Sequence, residues 1–152
     1  MPTHYQGTEE EVRALNAYIN LMRAGDSVYG KVLRSLGRQG FSVSQFGVME
    51  TLHHLGPMCQ KDLARKVLKT SGNLTMVVAN LARRGFVKRT RGGKDQRFVT
   101  LEITPKGRKL IGEAFPAHVS GVARLMRHLE PQEQETLREL CRKLGKGIQA
   151  AA

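Results

Sequence analysis

QKDLARKVLKTSGNLTMVVANLARRGFVKRTRGGKDQRFVTLEITP, residues 60–105, is the stretch on which the fold turns. In its first half apolar residues recur at helical spacing. Leu63, Ala64 and Val67 mark a short helix of about Gln60 to Leu68, and Leu74, Val77, Val78 and Leu81 mark a second that ends at Gly85. Only Lys69-Thr70 connects them, with Ser71 placed to cap the second helix. After Gly85 the period falls to two. Phe86–Thr90 and Arg97–Ile103 are β-branched and aromatic runs on either side of the glycine-centred turn Arg91-Gly92-Gly93-Lys94-Asp95-Gln96, which predicts a β-hairpin. Thr104-Pro105 then supplies an N-cap and a proline at the first helical position. Two short helices on a tight connection, followed at once by a basic hairpin, predict a helix-turn-helix with a wing. B-DNA gives that arrangement its chemistry: a major groove about 12 Å wide admits one helix, and a glycine-rich basic loop can follow the backbone into the minor groove.

Upstream, Val12, Leu15, Ile19, Met22, Tyr29, Leu33 and Leu36 trace one face of a long helix from Glu9, with Asp26 interrupting the seam. Ser44 is expected to cap a helix with the apolar face Phe46, Met49, Leu52 and Leu55, stopped by Gly56-Pro57. Downstream, Leu110, Ile111, Phe115, Val119, Val122 and Leu125 predict a helix to about Leu129, kinked at Pro116. Pro131 starts a last helix with Leu137, Leu140, Cys141, Leu144 and Ile148 on its stripe, where Cys141 reads as core. The outer stripes exceed what a winged-helix module of about 70 residues can cover, so they predict an obligate dimer. The expected class is mainly α with a small β-hairpin wing (α+β), a winged helix-turn-helix with N- and C-terminal dimerisation helices. The expected organisation is a flexible N-terminus over 1–8, a dimerisation helix over 9–40, the DNA-binding lobe over 41–104, C-terminal dimerisation helices over 105–148 and a frayed tail over 149–152.

The 152 residues carry 25 Lys and Arg against 13 Asp and Glu, a net charge of +12. Residues 58–110 hold 14 of those cations and only Asp62, Asp95 and Glu102 in opposition, so nearly the whole excess lies in the middle third of the chain. A solvated face normally mixes signs, and a membrane-surface helix would concentrate its cations on one amphipathic element; cations spread over several short elements fit nucleic acid better. With eight aromatics, of which Phe86 and Phe98 read as hairpin core, stacking on single-stranded RNA is poorly provided for. No run reaches the roughly 18 apolar residues of a membrane span, the N-terminus carries Glu9-Glu10-Glu11 rather than a signal peptide, and two cysteines 82 positions apart suggest a reducing cytoplasm.

On the second helix, Ser71, Asn73, Thr75, Met76 and Asn80 face away from the predicted core, with Lys69 on the connection. Small and amide side chains read base edges, and Met76 suits a thymine methyl group. Asn73 and Ser71 also have cap chemistry. On the wing, Arg91, Lys94, Asp95 and Arg97 are the candidates. Asp95 and Arg97 share a strand face, so that the carboxylate can orient the guanidinium.

Asp95-Gln96-Arg97 and Leu101-Glu102-Ile103-Thr104-Pro105-Lys106-Gly107 resemble the wing signature Asp-x-Arg and the Leu-Thr-x-x-Gly continuation of the MarR (multiple antibiotic resistance regulator) family of winged-helix transcription factors. Leu63-Ala64, Ser71, Thr75, Leu81 and Gly85-Phe86-Val87 fall at that family's spacing, and the likeness covers roughly residues 9–148. Many members carry Arg after the position of Thr75, where Met76 stands here, so an operator does not transfer. The resemblance implies a homodimer on double-stranded DNA with a pseudo-palindromic operator, and a small-molecule effector bound between the dimer helices and the DNA-binding lobe. The expected function is a sequence-specific transcriptional regulator, in the first place a repressor. For the effector site the candidate lining is Met22, Tyr29, Met49, His53 and Leu110, suited to an aromatic or phenolic molecule.

Other constellations carry less. Gly25-Asp26-Ser27-Val28-Tyr29-Gly30-Lys31 has phosphate-loop spacing but continues with Val32, not the Ser or Thr that holds magnesium. Glu50 and His54 at i, i+4 are too few for a metal site, no catalytic set stands out, and no cofactor is expected. Cys59, at the start of a helix with Lys61 and Arg65 near, raises the alternative of a thiol-based redox sensor. A low-specificity architectural DNA- or RNA-binding protein is the other alternative.

Overall fold

The computed structural model describes residues 3–67, 73–92 and 99–151. The first helix, α1 (Glu9–Arg38), opens on a capping box: Thr8 Oγ1 accepts from the Glu11 backbone N–H, and the Glu11 carboxylate accepts from the Thr8 N–H at 2.8 Å. The stretch before it, expected to be flexible, is tied back where the Thr3 N–H donates to Asn16 Oδ1 at 2.7 Å. The backbone passes through exposed Asp26 unbroken, so the apolar seam is interrupted but the helix is not. At its end the Phe41 N–H donates to Leu36 O and the Gly40 N–H to Gly37 O. This is a Schellman closure around Gly40, whose φ of 81° needs a residue without Cβ.

Helix α2 (Val43–Leu55) is capped by Ser42 and not by the expected Ser44. Ser42 and Gln45 satisfy each other's backbone N–H groups at 3.0 and 3.1 Å, whereas Ser44 is buried within the first turn. A two-residue strand, β1 (Met58–Cys59), follows; two residues carry no period, so the sequence did not disclose it. Helix α3 (Gln60–Lys66) buries Leu63, with Val67 buried just beyond, but Ala64 points to solvent, contrary to expectation. Helix α4 (Leu74–Arg83) is capped by Asn73, whose Oδ1 accepts from the Thr75 N–H at 3.0 Å. The expected cap Ser71 lies outside the described residues, as do Lys69 and Thr70. The helix ends as α1 does, with Gly85 at φ 76° and the Phe86 N–H on Leu81 O.

Strands β2 (Val87–Arg91) and β3 (Val99–Ile103) pair antiparallel from Val87↔Ile103 to Arg91↔Val99, and β1 adds on the other side of β3. Thr104 closes the hairpin base and caps α5 (Pro105–Met126): its hydroxyl donates to Gly85 O at 2.6 Å and accepts from the Gly107 N–H at 3.0 Å. The core gathers Leu36 and Phe41, Phe46, Met49 and Leu52 of α2, Leu63, Val78 and Leu81, Leu101 and Ile103, and Ile111 of α5. Each such side chain contributes about 1.5–3 kcal/mol on burial, and together they fix the helix-turn-helix to the hairpin.

The chain forms two compact units, residues 1–118 and 119–152. In the second, Gln134 Nε2 holds the connection by donating to Met126 O and Leu129 O at 3.1 and 3.0 Å. Helix α6 (Pro131–Ala151) buries none of its residues, so Cys141, expected in the core, is exposed. The tail expected to fray is helical through Ala151. Helix α5 ends three residues before the expected Leu129 and continues through Pro116. No helix among the described residues is long and apolar enough to cross a membrane.

Candidate nucleic-acid interface

Helix α4 packs on α2 and β2 through Val78 and Leu81, which leaves Met76 and Arg83 outward, with Met76 67% exposed. An uncovered methionine on an otherwise well-packed helix is a contact surface in waiting. Asn73 does not share that freedom, because its carboxamide oxygen is committed to the cap. Thr75 is exposed, and Gln60 Nε2 donates to its Oγ1 at 2.7 Å, locking the two helices of the motif together at their outer edge. Asn80 is half-buried and accepts from Gln45 Nε2 of α2 at 3.2 Å. Neither glutamine was singled out from sequence. Ser42-x-x-Gln45 ahead of an apolar run is the capping-box pattern that points to one of them.

The wing rises from a rigid base. Arg84 Cζ and Lys106 Nζ each lie 4.9 Å from the Phe86 ring centroid, and Lys106 also donates to Arg84 O at 3.0 Å. These two cations are spent on cation–π contacts that hold the hairpin to α5. From Lys88 to Arg91 every residue of β2 is exposed, whereas the opposite strand keeps Leu101 buried. Lys88, Arg89 and Arg91 have no acidic partner among the described residues, and their charge is available to phosphate. Lys94, Asp95 and Arg97 lie outside the described residues.

The candidate effector lining is spread over different environments. Met49 is fully buried core and Leu110 packs against that core, whereas Met22 is exposed on α1 and Tyr29 is half-exposed. A shallow depression of about 420 Å³ is lined instead by Tyr5, Glu11, Ala14, Leu15 and Tyr18. His53 stands apart, because its Nδ1 is buried with no hydrogen-bond partner among the described residues. Burial, then the neighbouring His54 and Arg108, hold its pKa below the usual histidine range. Around it His54 packs on Phe115, and His118 on Phe46. Cys59 is the N-terminal flank of α3 but makes no cap bond; its thiol donates to Asp62 Oδ2 at 3.2 Å. The charged group in contact with it is a carboxylate, and Arg65 pairs with that same Asp62 at 3.7 Å.

A family model of the MarR family matches residues 41–99, from two residues before α2 to the first residue of β3. The chain is 37% identical over 138 residues to YkoM, an HTH-type transcriptional regulator of Bacillus subtilis, covering 90% of each. The chain belongs to the MarR family. As a MarR-family member it is a DNA-binding transcriptional regulator and not an enzyme. Its fold is shared with Sco3205, a MarR-family regulator of Streptomyces coelicolor solved in complex with DNA, at a TM-score of 0.82 and 23% identity over 96% of this chain and 92% of that one. It is shared too with Bordetella bronchiseptica BpsR, at a TM-score of 0.76 and 21% identity over 95% and 98%.

Proposed function

We propose that this MarR-family regulator is a homodimeric, sequence-specific repressor that binds an inverted-repeat operator in the cytoplasm and is released by a small aromatic or phenolic molecule. One observation carries the dimer. Leu137, Leu140, Leu144 and Ile148 step along α6 at helical spacing and are 38–63% exposed, on a helix that buries nothing. Such a one-sided apolar stripe is a surface to be covered, and a second copy offering the same stripe covers it by two-fold symmetry. Two recognition helices so related meet successive major grooves about 34–36 Å apart, which makes the site an inverted repeat. On each half-site α4 presents Met76, Thr75 and Asn80, while Arg91, Lys94 and Arg97 of the wing, with Asp95 orienting Arg97, follow the flanking minor groove. Ser71 and Lys69 approach the phosphates at the helix entry.

For the effector, BpsR offers the chemistry, since its DNA binding is regulated by 6-hydroxynicotinic acid. In this chain the Nδ1 of His53, without a partner among the described residues and beside Arg108, suits an acidic or phenolic oxygen, with Tyr29, Met22 and Leu110 as candidate contacts and Met49 behind them. Repression is the matching output, because an effector that frees DNA switches a gene on when the bound state is silent. Sedimentation of the full chain, with selection of bound genomic fragments, tests the reading: a dimer selecting inverted repeats with half-site centres one turn apart is expected. A monomer, or fragments sharing no repeat, refutes it. Hydroxylated aromatic acids and phenols are expected to raise the melting temperature and lower operator affinity together.

A further inference from the structure

We infer that Gln45, on a helix that does not enter the groove, decides which end of the Asn80 carboxamide the DNA meets. Three hydrogen-bonding groups of fixed polarity set that orientation. The Ser42 backbone N–H can only donate, so the Gln45 atom 3.1 Å from it is the carbonyl Oε1. The other end of Gln45, Nε2, can only donate, so the Asn80 atom it reaches at 3.2 Å is Oδ1. An isolated asparagine amide turns end for end at little cost, but this one is anchored through Gln45 to a backbone group 38 positions away in sequence.

What remains is the Nδ2 of Asn80, which has no partner among the described residues; the one buried side-chain nitrogen or oxygen there without a partner is His53 Nδ1. Asn80 stands one turn after exposed Met76 and one before exposed Arg83 on α4. It therefore offers that face an N–H₂ donor. In a major groove this matches guanine N7 and O6, adenine N7 or thymine O4, and opposes the amino groups of cytosine N4 and adenine N6. Because the amide is set before DNA arrives, less side-chain entropy is lost in making the contact. Gln45 is thus a positioning residue that sets specificity without touching a base. The inference rests on the reading of α4 as the helix in the groove.

The Gln45→Glu variant inverts the relay while sparing the fold. Glutamate serves a capping box as well as glutamine does, but its second oxygen only accepts, so Asn80 must turn its Nδ2 inward and present Oδ1. Sites are selected from randomised half-sites by wild type, Asn80→Ala, Gln45→Glu and Gln45→Ala, with melting curves to confirm folding. Asn80→Ala is expected to lose a preference of about fivefold or more at one base pair. Gln45→Glu should move that same base pair toward an amino donor, cytosine N4 or adenine N6, and Gln45→Ala should relax it. The added negative charge lowers affinity for all sequences alike, so the readout is the ratio between bases. A purely structural role for Gln45 would move no base preference. If Asn80→Ala alters one base pair and both Gln45 variants leave it unmoved, the inference fails while the reading of α4 stands. If Asn80→Ala alters none, Asn80 reads no base and the inference fails with it. If the wild type selects no sequence, the reading of α4 falls and takes the inference with it.

Discussion

Substituting alanine for glycine at two positions five residues apart on α5 should give opposite results. At Gly107 an added Cβ overlaps the Phe86 carbonyl oxygen and sits 2.9 Å from Ile103 Cγ1. The obstacle is backbone, and it is engaged: Phe86 O accepts the Thr104 N–H at 3.0 Å, beside the Gly85–Thr104 bond that closes the wing. Relief requires α5 to back away from the hairpin. Overpacking of this kind costs about 1–3 kcal/mol, and weakening the Thr104 bond adds about 0.5–1.5 kcal/mol, so Gly107→Ala should destabilise by about 2–4 kcal/mol. For a chain of this size that lowers the melting temperature by roughly 5–15 °C. At Gly112 nothing lies within 4 Å of the added Cβ. There the substitution only restricts the unfolded chain and should stabilise by about 0.5–1 kcal/mol. Calorimetry at one fixed protein concentration decides. Gly107→Ala melting within a degree or two of wild type would refute the packing argument, and the Gly112→Ala control guards against a general intolerance of the helix.

Four further outcomes are expected. His53 has a pKa lowered below its unfolded value, so its contribution to stability is fully present above about pH 6.5 and is lost as pH falls through 6.5 toward the lowered value; melting curves from about pH 8 to pH 5 should fall less steeply in His53→Leu. On the wing, Arg97→Ala should leave the melting temperature unchanged yet weaken operator binding by about 1–3 kcal/mol, Asp95→Ala should show a smaller loss, and Lys94→Ala should weaken all sequences alike and reduce the salt slope by about one. Leu140→Asp with Leu144→Asp should sediment as monomer, and a variant that stays dimeric places the interface elsewhere. Hydroperoxide should leave DNA binding intact in wild type and Cys59→Ser alike, because the group touching the thiol is Asp62; release confined to the wild type would restore the redox alternative.

The parts of this molecule legible in its sequence are those in which a period runs long enough to be counted. The stripes from Val12 to Leu36 and from Leu137 to Ile148 mark α1 and α6, and the change of period after Gly85 marks the wing, where β3 alternates with Leu101 and Ile103 buried while β2 is exposed beyond Val87. What escaped was set by contacts between segments. Met58–Cys59 becomes a strand only because β3 offers it an edge. Ser42 beats Ser44 as a cap because Gln45 reciprocates, and Asn73 is a cap as much as a reader because the Thr75 N–H is in reach. Cys141 shares the apolar stripe of α6, yet within one chain that helix buries nothing, so the spacing alone does not reveal its exposure. The five residues expected to line an effector site rest on a family resemblance and on helical spacing, neither of which distinguishes fully buried Met49 from exposed Met22. The glutamines that hold Thr75 and Asn80 reach across 15 and 35 positions, and no local pattern encodes their partners.

The place of β2 at the margin of its sheet gives its cations a second duty. With the strand order β1-β3-β2, the far side of β2 has no neighbouring strand among the described residues, and the chain from Lys88 to Arg91 is exposed. A bare strand of that kind is a template on which another polypeptide can lengthen the sheet, the first step of aggregation. Lys88, Arg89 and Arg91 discourage this by mutual repulsion between copies, so the charges that attract a polyanion also keep the free protein dispersed. Alanine scanning of these three positions therefore mixes lost DNA contact with lost colloidal stability. Light scattering on each variant, at the concentration used for binding, separates the two.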